Sequence, residues 1–150
     1  MATENPYPRL FTLEEARRLL PEIEPLVSEM KQTFAKIRKE IAAASIESGI
    51  PPTNPRLSER LEQRGIATGL VSRVNELIGR IHEHGCVVNG PEAGLVDFPA
   101  LLDSEIVFLC WKHGEAGIEH WHRIPDGFAG RRPLLENWQA AGEGPDSTVH

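Results

Sequence analysis

The sequence has few cysteines, no excess of basic residues and no long apolar run. Only Cys86 and Cys110 occur among its 150 residues, too few for the disulfide framework of a small secreted domain, so we expect reduced thiols and a cytoplasmic location. Sixteen basic residues stand against 22 acidic ones, a formal net charge of -6, which argues against nucleic acid and anionic membranes as partners. No apolar run approaches the roughly 20 residues of a membrane span, and residues 1–10 lack the apolar core of a secretory signal.

The remaining composition suits one globular domain. With 40% hydrophobic residues, a chain of 150 residues can bury a core of its own. We expect an α+β domain over residues 1–135, made of a helical hairpin (12–85), a β-meander (86–124) and a carboxyl-terminal loop (125–135). Residues 136–150 are rich in small and polar residues, which predicts a flexible tail in which only Trp138 docks.

The first half of the chain has helical periodicity. Thr12 and Glu15 have the spacing of a capping box, which predicts a helix start there. Because Pro21 has no N–H and clashes with the preceding turn, we expect a kink or restart at this residue, with the helix then continuing to about residues 46–48. The apolar residues follow the 3.5-residue repeat of a coiled-coil contact. They are Ala16, Leu20, Ile23, Val27, Met30, Phe34, Ile37, Ile41 and Ala44.

A second helix follows a proline-rich segment. Residues 47–56 (ESGIPPTNPR) contain three prolines and a glycine, which suit a turn between antiparallel helices. The second helix is predicted from about Asn54 to Gly85, and Gly65 and Gly69 each weaken its middle by about 1 kcal/mol. The two helices together predict a hairpin that covers the sheet, and its exposed edges favour a homodimer through the helices.

After Gly85 the apolar period changes to two, which predicts about four short antiparallel strands. The third of them, EIVFLCW, is apolar on both faces and is therefore expected in the centre of the sheet. Short connections favour a meander, packed on the helical hairpin because so small a sheet cannot bury its own inner face. The predicted strands are residues 86–89, 95–98 (stopped by Pro99), 105–111 and 118–123.

These strands and their loops carry nitrogen, oxygen and sulfur donors. His120 and His122 are two residues apart on one strand and therefore share a face. Asp97, Cys110, His113 and Glu115 lie on neighbouring strands and their loop, and the mixture of donors suits Zn²⁺ or a related divalent ion. The alternative is structural: His122 forms a hydrogen bond to Asp97 or Glu115, and Cys110 acts as a small core hydrophobe.

Strand register decides whether the thiol belongs to this cluster. Cys110 shares a face with His120 and His122 only if paired residues of the two strands have numbers with an even sum. An odd sum places Cys110 beside Trp121 and Glu119 instead. The sequence leaves both registers open.

A second candidate is a pocket for a small polar or anionic ligand. Arg131, with Trp111 and Trp121 nearby, suits a carboxylate or phosphate held over an aromatic wall. The alternative is a salt bridge that fixes the carboxyl-terminal loop on the sheet. The acids within reach are Asp97, Glu115 and Glu119.

A third hypothesis is nucleophilic catalysis by Cys110 with His122 as the base. A catalytic cysteine needs exposure and a lowered pKa. The surrounding strand, VFLCW, instead predicts burial, which raises the pKa of the thiol.

Several segments resemble the DUF2203 family of uncharacterised bacterial proteins. They are FTLEEARRLLPEIEPLV, GCVVNGPEAGLVDFPA, VFLCWKHGE, IEHWH and GFAGRRPL, within about Leu10 to Leu134. The family pattern matches at Asp97, Cys110, Trp111, Glu115, Trp121, His122, Gly127, Phe128, Gly130 and Arg131. The chain departs from it at His120, where Tyr is more frequent, and at Arg132, where Gln is frequent, which weakens any mechanism that relies on those two residues. The resemblance implies no activity, because the family has none assigned.

Two functional hypotheses follow. In the first, the protein is an uncharacterised cytoplasmic protein with a metal- or anion-binding cluster on its sheet and a hairpin that self-associates. In the second, it is a metal-dependent hydrolase in which Asp97, Glu115 and His122 hold a divalent ion that lowers the pKa of a bound water.

Overall fold

Three helices precede five antiparallel strands in the computed structural model, which describes residues 6–134 and 138, without the side chains of residues 64, 66 and 67. The predicted α+β class is therefore confirmed. Apart from Trp138, the tail expected over 136–150 lies outside the described residues. The helices are α1 (Leu13–Ser48), α2 (Leu57–Arg64) and α3 (Ile66–Glu83). The strands are β1 (Val87–Gly90), β2 (Leu95–Leu102), β3 (Glu105–Lys112), β4 (His120–Arg123) and β5 (Arg132–Pro133).

The first helix begins with the predicted capping box. The Thr12 hydroxyl accepts a hydrogen bond from the Glu15 N–H at 3.1 Å, and the Glu15 carboxylate accepts one from the Thr12 N–H at 2.9 Å. The restart expected at Pro21 is wrong, because α1 continues through Pro21 and Pro25 to Ser48. Both prolines are exposed, so water can satisfy the carbonyl groups that lose an N–H partner.

The buried face of α1 lies close to the predicted seam. Leu19 and Thr33 are buried where Leu20 and Phe34 were expected, and the latter two are half-buried. The face contacts both α3 and the sheet in one core, so two neighbours rather than a single helix seam determine which residues are covered. The buried residues of α1 are Ala16, Leu19, Ile23, Val27, Met30, Thr33 and Ala44.

The segment predicted as one second helix forms two helices, α2 and α3, in the structure. They meet at Gly65, whose φ of 76° is in the left-handed region that glycine adopts without a steric penalty. Both contact α1, and Arg73 of α3 forms an ion pair with Glu29 of α1, with Nε 2.6 Å from Oε2. No helix in the described part of the chain combines the length and apolar character needed to cross a membrane.

The sheet is a meander in the order β1-β2-β3-β4-β5, with every neighbouring pair antiparallel. The predicted meander is confirmed, with β3 in the centre, and the short β5 adds a strand. The stop expected at Pro99 is wrong, since β2 continues to Leu102. The Pro99 carbonyl accepts a hydrogen bond from the Phe11 N–H at 2.7 Å. The N–H that proline lacks would point to the same side, away from β3, so no ladder bond is lost.

The two faces of the sheet have different neighbours. One face packs on the helices, through Val96, Phe98, Ala100, Val107, Leu109 and Trp111. Residues that alternate with these, including Asp97 and Cys110, point to the opposite face. Asp103 and Ser104 form the turn between β2 and β3 with φ values of 50° and 68°, as in a tight two-residue hairpin, and this turn fixes the register of the two strands.

Candidate metal centre

Strand pairing brings the predicted donors of three strands to one face. Asp97 of β2 lies opposite Cys110 of β3, and Cys110 lies opposite His120 of β4. The numbers of the last pair have an even sum, so Cys110 shares its face with His120 and His122. The register that the sequence left open is thus the one that places sulfur, nitrogen and carboxylate donors together.

Asp97, Cys110 and His122 form a buried group. They are 1%, 1% and 2% exposed, and one ligand atom from each lies within 4.8 Å of the other two. His122 Nε2 is 3.2 Å from Asp97 Oδ1. Two ligands of a tetrahedral Zn²⁺ with bonds of about 2.0–2.1 Å lie roughly 3.3 Å apart. This pair therefore already has the spacing of two ligands on one ion.

The imidazole of His122 faces a hydrogen-bond acceptor at each nitrogen. Nδ1 lies 2.8 Å from the carbonyl oxygen of Arg123, and because a carbonyl only accepts, Nδ1 carries a proton. Nε2 faces the Asp97 carboxylate. The hydrogen bond to Asp97 raises the pKa of His122, against the opposing effect of burial. The surroundings therefore favour a cation at Nε2, which is either a second proton or a metal ion.

The second oxygen of Asp97 is held by Asn89. The Asn89 amide Nδ2 donates to Oδ2, which leaves Oδ1 to face His122. Asn89 was not among the predicted site residues. The sequence signal for this role is that Asn89 is a polar residue in β1. This strand pairs with β2, and its Val87 lies opposite Asp97.

Cys110 is a protonated thiol when no metal is bound. Burial and the negative charge of Asp97 raise its pKa to about 12, although Arg131 acts in the opposite direction. A Cys–His–Asp catalytic arrangement also needs one imidazole nitrogen for the thiol and the other for the carboxylate. In His122 the two nitrogens face Asp97 and the Arg123 main chain, so the geometry does not support nucleophilic catalysis by Cys110.

Glu115 is engaged outside the buried group. Its carboxylate accepts two hydrogen bonds from Arg131, with Nη1 3.1 Å from Oε1 and Nη2 on Oε2. The Lys112 N–H also donates to it at 2.8 Å. Desolvation raises the pKa of Glu115, but the bonds from Arg131 and Lys112 outweigh this, and the net pKa is lowered. The Arg131–Glu115 pair is the salt bridge that the sequence offered as the alternative to an anion site, and it joins the loop before β5 to the loop after β3.

His120 lies on the same face but outside the group. Its ring nitrogen Nδ1 is buried and has no hydrogen-bond partner among the described residues.

The three residues of the predicted anion pocket do not come together. Trp111 is 1% exposed and lies on the face toward the helices. Trp121 lies opposite Leu109 on that same face and packs against Trp138, with ring centroids 5.6 Å apart. The Arg131 guanidinium instead lies over the ring of Phe128, 4.3 Å from its centroid.

A cavity of about 430 Å³ lies beside the buried group. Its polar lining is Asn89, Asp97, Cys110 and His122. Its apolar lining, which was not predicted, is Tyr7, Val87, Leu95, Phe108, Ile124 and Phe128. Three candidate ligands beside a cavity resemble the arrangement of catalytic zinc sites, in which three protein ligands leave the fourth position to water or substrate.

The fold and this site define a class of protein: an α+β domain with a buried Asp–Cys–His group on the face of an antiparallel sheet that the helices leave uncovered. Residues 9–134 match the family described as uncharacterized conserved protein DUF2203. The chain belongs to this family, as its sequence segments indicated. Neither the curated proteins nor the solved structures contain a significant match to it.

Proposed function

We propose that this protein is a cytoplasmic divalent-metal-binding protein that holds Zn²⁺ or a similar ion through Asp97 Oδ1, Cys110 Sγ and His122 Nε2. The observation that carries the proposal is the pair of acceptors around His122. The main-chain carbonyl of Arg123 accepts a hydrogen bond from the Nδ1–H group, and Nε2 faces a buried carboxylate. This is how ligating histidines are oriented in metal sites, where the nitrogen that does not bind the metal donates to a carbonyl or carboxylate.

The charge of the donor set suits a divalent ion. A carboxylate and a thiolate together carry two negative charges, which neutralise a 2+ ion in a buried site where an unpaired charge is costly. Asn89 donates a hydrogen bond to the second oxygen of the Asp97 carboxylate, as the outer hydrogen-bond partners of metal ligands do. Both cysteines are free, and the cytoplasmic location included in the proposal is a compartment in which thiols stay reduced.

The second candidate function is metal-dependent hydrolysis, and the cavity beside the ligands favours it. A metal with an open position supplies a bound water of lowered pKa, near 7 in well-studied zinc enzymes. The ligand set proposed for it differs from the one expected from sequence. Cys110 takes the place of Glu115, whose carboxylate is bound by Arg131.

Titration of the chelator-treated protein with Co²⁺ tests the proposal. One equivalent of Co²⁺ should give visible bands of a low-symmetry, four-coordinate site and a near-ultraviolet thiolate charge-transfer band. Cys110→Ala should remove the charge-transfer band, and His122→Ala should weaken Co²⁺ binding by roughly 100-fold or more. Cys86→Ala is the matched control, because Cys86 lies in the core cluster rather than in the buried group, and it should leave both features unchanged.

The Co²⁺ experiment has two outcomes that contradict the proposal. One is a protein that binds no Co²⁺ at micromolar concentrations. The other is a Co²⁺ spectrum that is the same in wild type and Cys110→Ala, which would place the ion elsewhere.

A further inference from the structure

We infer that the cavity takes a small molecule in which an apolar group, aryl or branched alkyl, stands next to an anionic oxygen donor. The inference rests on the proposed metal site and names the ligand class of that site. It follows from the mixed lining of the cavity. The proposed metal-binding atoms and Asn89 are its polar part, and aromatic and aliphatic side chains line the rest.

The apolar lining of the cavity extends to the protein surface. Four large apolar side chains are exposed in the described part of the chain: Ile46, Val71, Ile124 and Phe128. Two of these, Ile124 (40% exposed) and Phe128 (37%), line this one cavity. Apolar groups left in water beside a polar cluster are typical of a site whose ligand covers them on binding.

Aromatic surface continues from the cavity wall to the proposed ligand His122. The ring of Phe108 meets the His122 ring edge to face, with centroids 5.5 Å apart. Tyr7 packs on Phe108 in the same manner at 5.6 Å. An aryl or branched alkyl group therefore finds its contacts directly beside the atoms that would hold the metal.

The charge beside Phe128 favours an anionic ligand. Lys112 Nζ lies 5.8 Å from the centroid of the Phe128 ring, and Arg131 lies closer, at 4.3 Å. Arg131 is already paired with Glu115, whereas the Lys112 ammonium has no carboxylate partner among the described residues. A cation beside the Phe128 ring, which lines the cavity, attracts a carboxylate or hydroxamate in preference to an amine.

The size of the cavity limits the ligand to a small molecule. Its volume of about 430 Å³ is near the lower end of the roughly 300–1,000 Å³ usual for small-molecule sites. A polymer chain would need a groove that continues along the surface.

Two hydroxamates that differ only in their apolar part test the inference on the Co²⁺-loaded protein. Benzohydroxamate and acetohydroxamate bind a metal through the same oxygen atoms, but only the first carries an aryl group. The change of the Co²⁺ spectrum gives the affinity of each. Benzohydroxamate should bind roughly tenfold or more tightly, because its ring leaves water for the apolar wall. Phe128→Ala should lower this ratio several-fold with little effect on acetohydroxamate, and Val71→Ala, at an exposed apolar residue outside the cavity, should leave the ratio unchanged.

The outcomes separate the two proposals. Equal affinities for the two hydroxamates, or no spectral change with either, would overturn the inference about the ligand while leaving the metal site in place. A ratio that Phe128→Ala does not change would overturn it as well, because the aryl group would then lie elsewhere. Absence of Co²⁺ binding would overturn both proposals.

Discussion

His122 Nε2 lies 3.2 Å from Asp97 Oδ1 in a part of the sheet where both side chains are almost fully buried. The opposite nitrogen of the same ring lies 2.8 Å from the Arg123 carbonyl oxygen. The imidazole is thus held between two acceptors, and Cys110 lies within reach of the carboxylate and the ring. A proton on Nε2 satisfies this geometry in the metal-free protein. We propose that a divalent ion takes its place.

The affinity for Zn²⁺ should increase with pH. Zn²⁺ must displace a proton from Cys110, whose pKa is raised to about 12 by burial and by Asp97. It must also displace one from His122, whose pKa is raised by its hydrogen bond to Asp97. The apparent affinity should therefore rise by about tenfold to 100-fold per pH unit between about pH 6 and pH 8. Competition with a chromophoric chelator measures it, and an affinity independent of pH would contradict a thiolate–imidazole ligand set.

In the metal-free protein, Asp97→Asn should destabilise the fold most at low pH. Because the pKa of His122 is raised in the folded state from 6.5, the stabilisation is fully present below about pH 6.5 and is lost as the pH rises through the raised value. We expect a loss of about 1–3 kcal/mol near pH 5.5 and a smaller loss near pH 8.5. Urea denaturation with a chelator present measures both, and Glu119→Gln at an exposed residue is the control. A loss that is the same at both pH values would show that His122 is not charged in the pair.

The stability of the protein should fall above about pH 9. Burial raises the pKa of Cys86 from 9.0 to about 12. Between these values the unfolded chain loses the thiol proton and the folded chain keeps it, so this thiol lowers the free energy of unfolding by up to about 1.4 kcal/mol per pH unit. The Cys110 thiol, whose pKa is also raised to about 12, adds a similar decrease in wild type and in Cys86→Ala. Urea denaturation under reducing conditions should show a steeper decline for wild type than for Cys86→Ala. Parallel curves for the two proteins would contradict the raised pKa.

Self-association through the helices remains a prediction. Val71 of α3 is 45% exposed, and Ile46 near the end of α1 is 85% exposed. A lysine in an apolar helix interface would have its ammonium group removed from water, which is energetically costly. Val71→Lys should therefore dissociate a dimer whose interface includes this part of α3. Sedimentation equilibrium compares it with wild type and with Ala129→Lys, a control at an exposed residue outside α1, α2 and α3. A wild-type protein that is monomeric at high concentration would exclude the helix dimer.

Local sequence signals predict which helices and strands form better than they predict where each one ends. The Thr12–Glu15 capping box determines where α1 starts, because it depends only on residues one turn apart. The continuation of α1 through Pro21 and of β2 through Pro99 depends on which side of each element faces water or another strand. That is a tertiary property, and proline alone does not encode it.

Only part of the candidate site could be predicted, because its other contacts also depend on tertiary structure. Alternation along β4 places His120 and His122 on one face, but whether Cys110 shares that face depends on the register of β3 and β4, which no local pattern specifies. The turn at 103–104 fixes only the register of β2 and β3, which sets Asp97 opposite Cys110. Glu115 is close to Cys110 and His120 in sequence, which suggests that it belongs with the donors. In the structure its carboxylate instead forms an ion pair with Arg131. Asn89 was missed because its role depends on pairing between β1 and β2 that no local pattern specifies.

Zinc K-edge X-ray absorption on the protein loaded with one equivalent of Zn²⁺ tests the central claim most directly. Sulfur and the lighter donors scatter differently, so the spectrum counts sulfur ligands without assuming any activity. We predict one sulfur at about 2.3 Å and nitrogen or oxygen ligands at about 2.0–2.1 Å, with the sulfur absent in Cys110→Ala. A coordination shell made only of oxygen and nitrogen in the wild-type protein would contradict the proposed site.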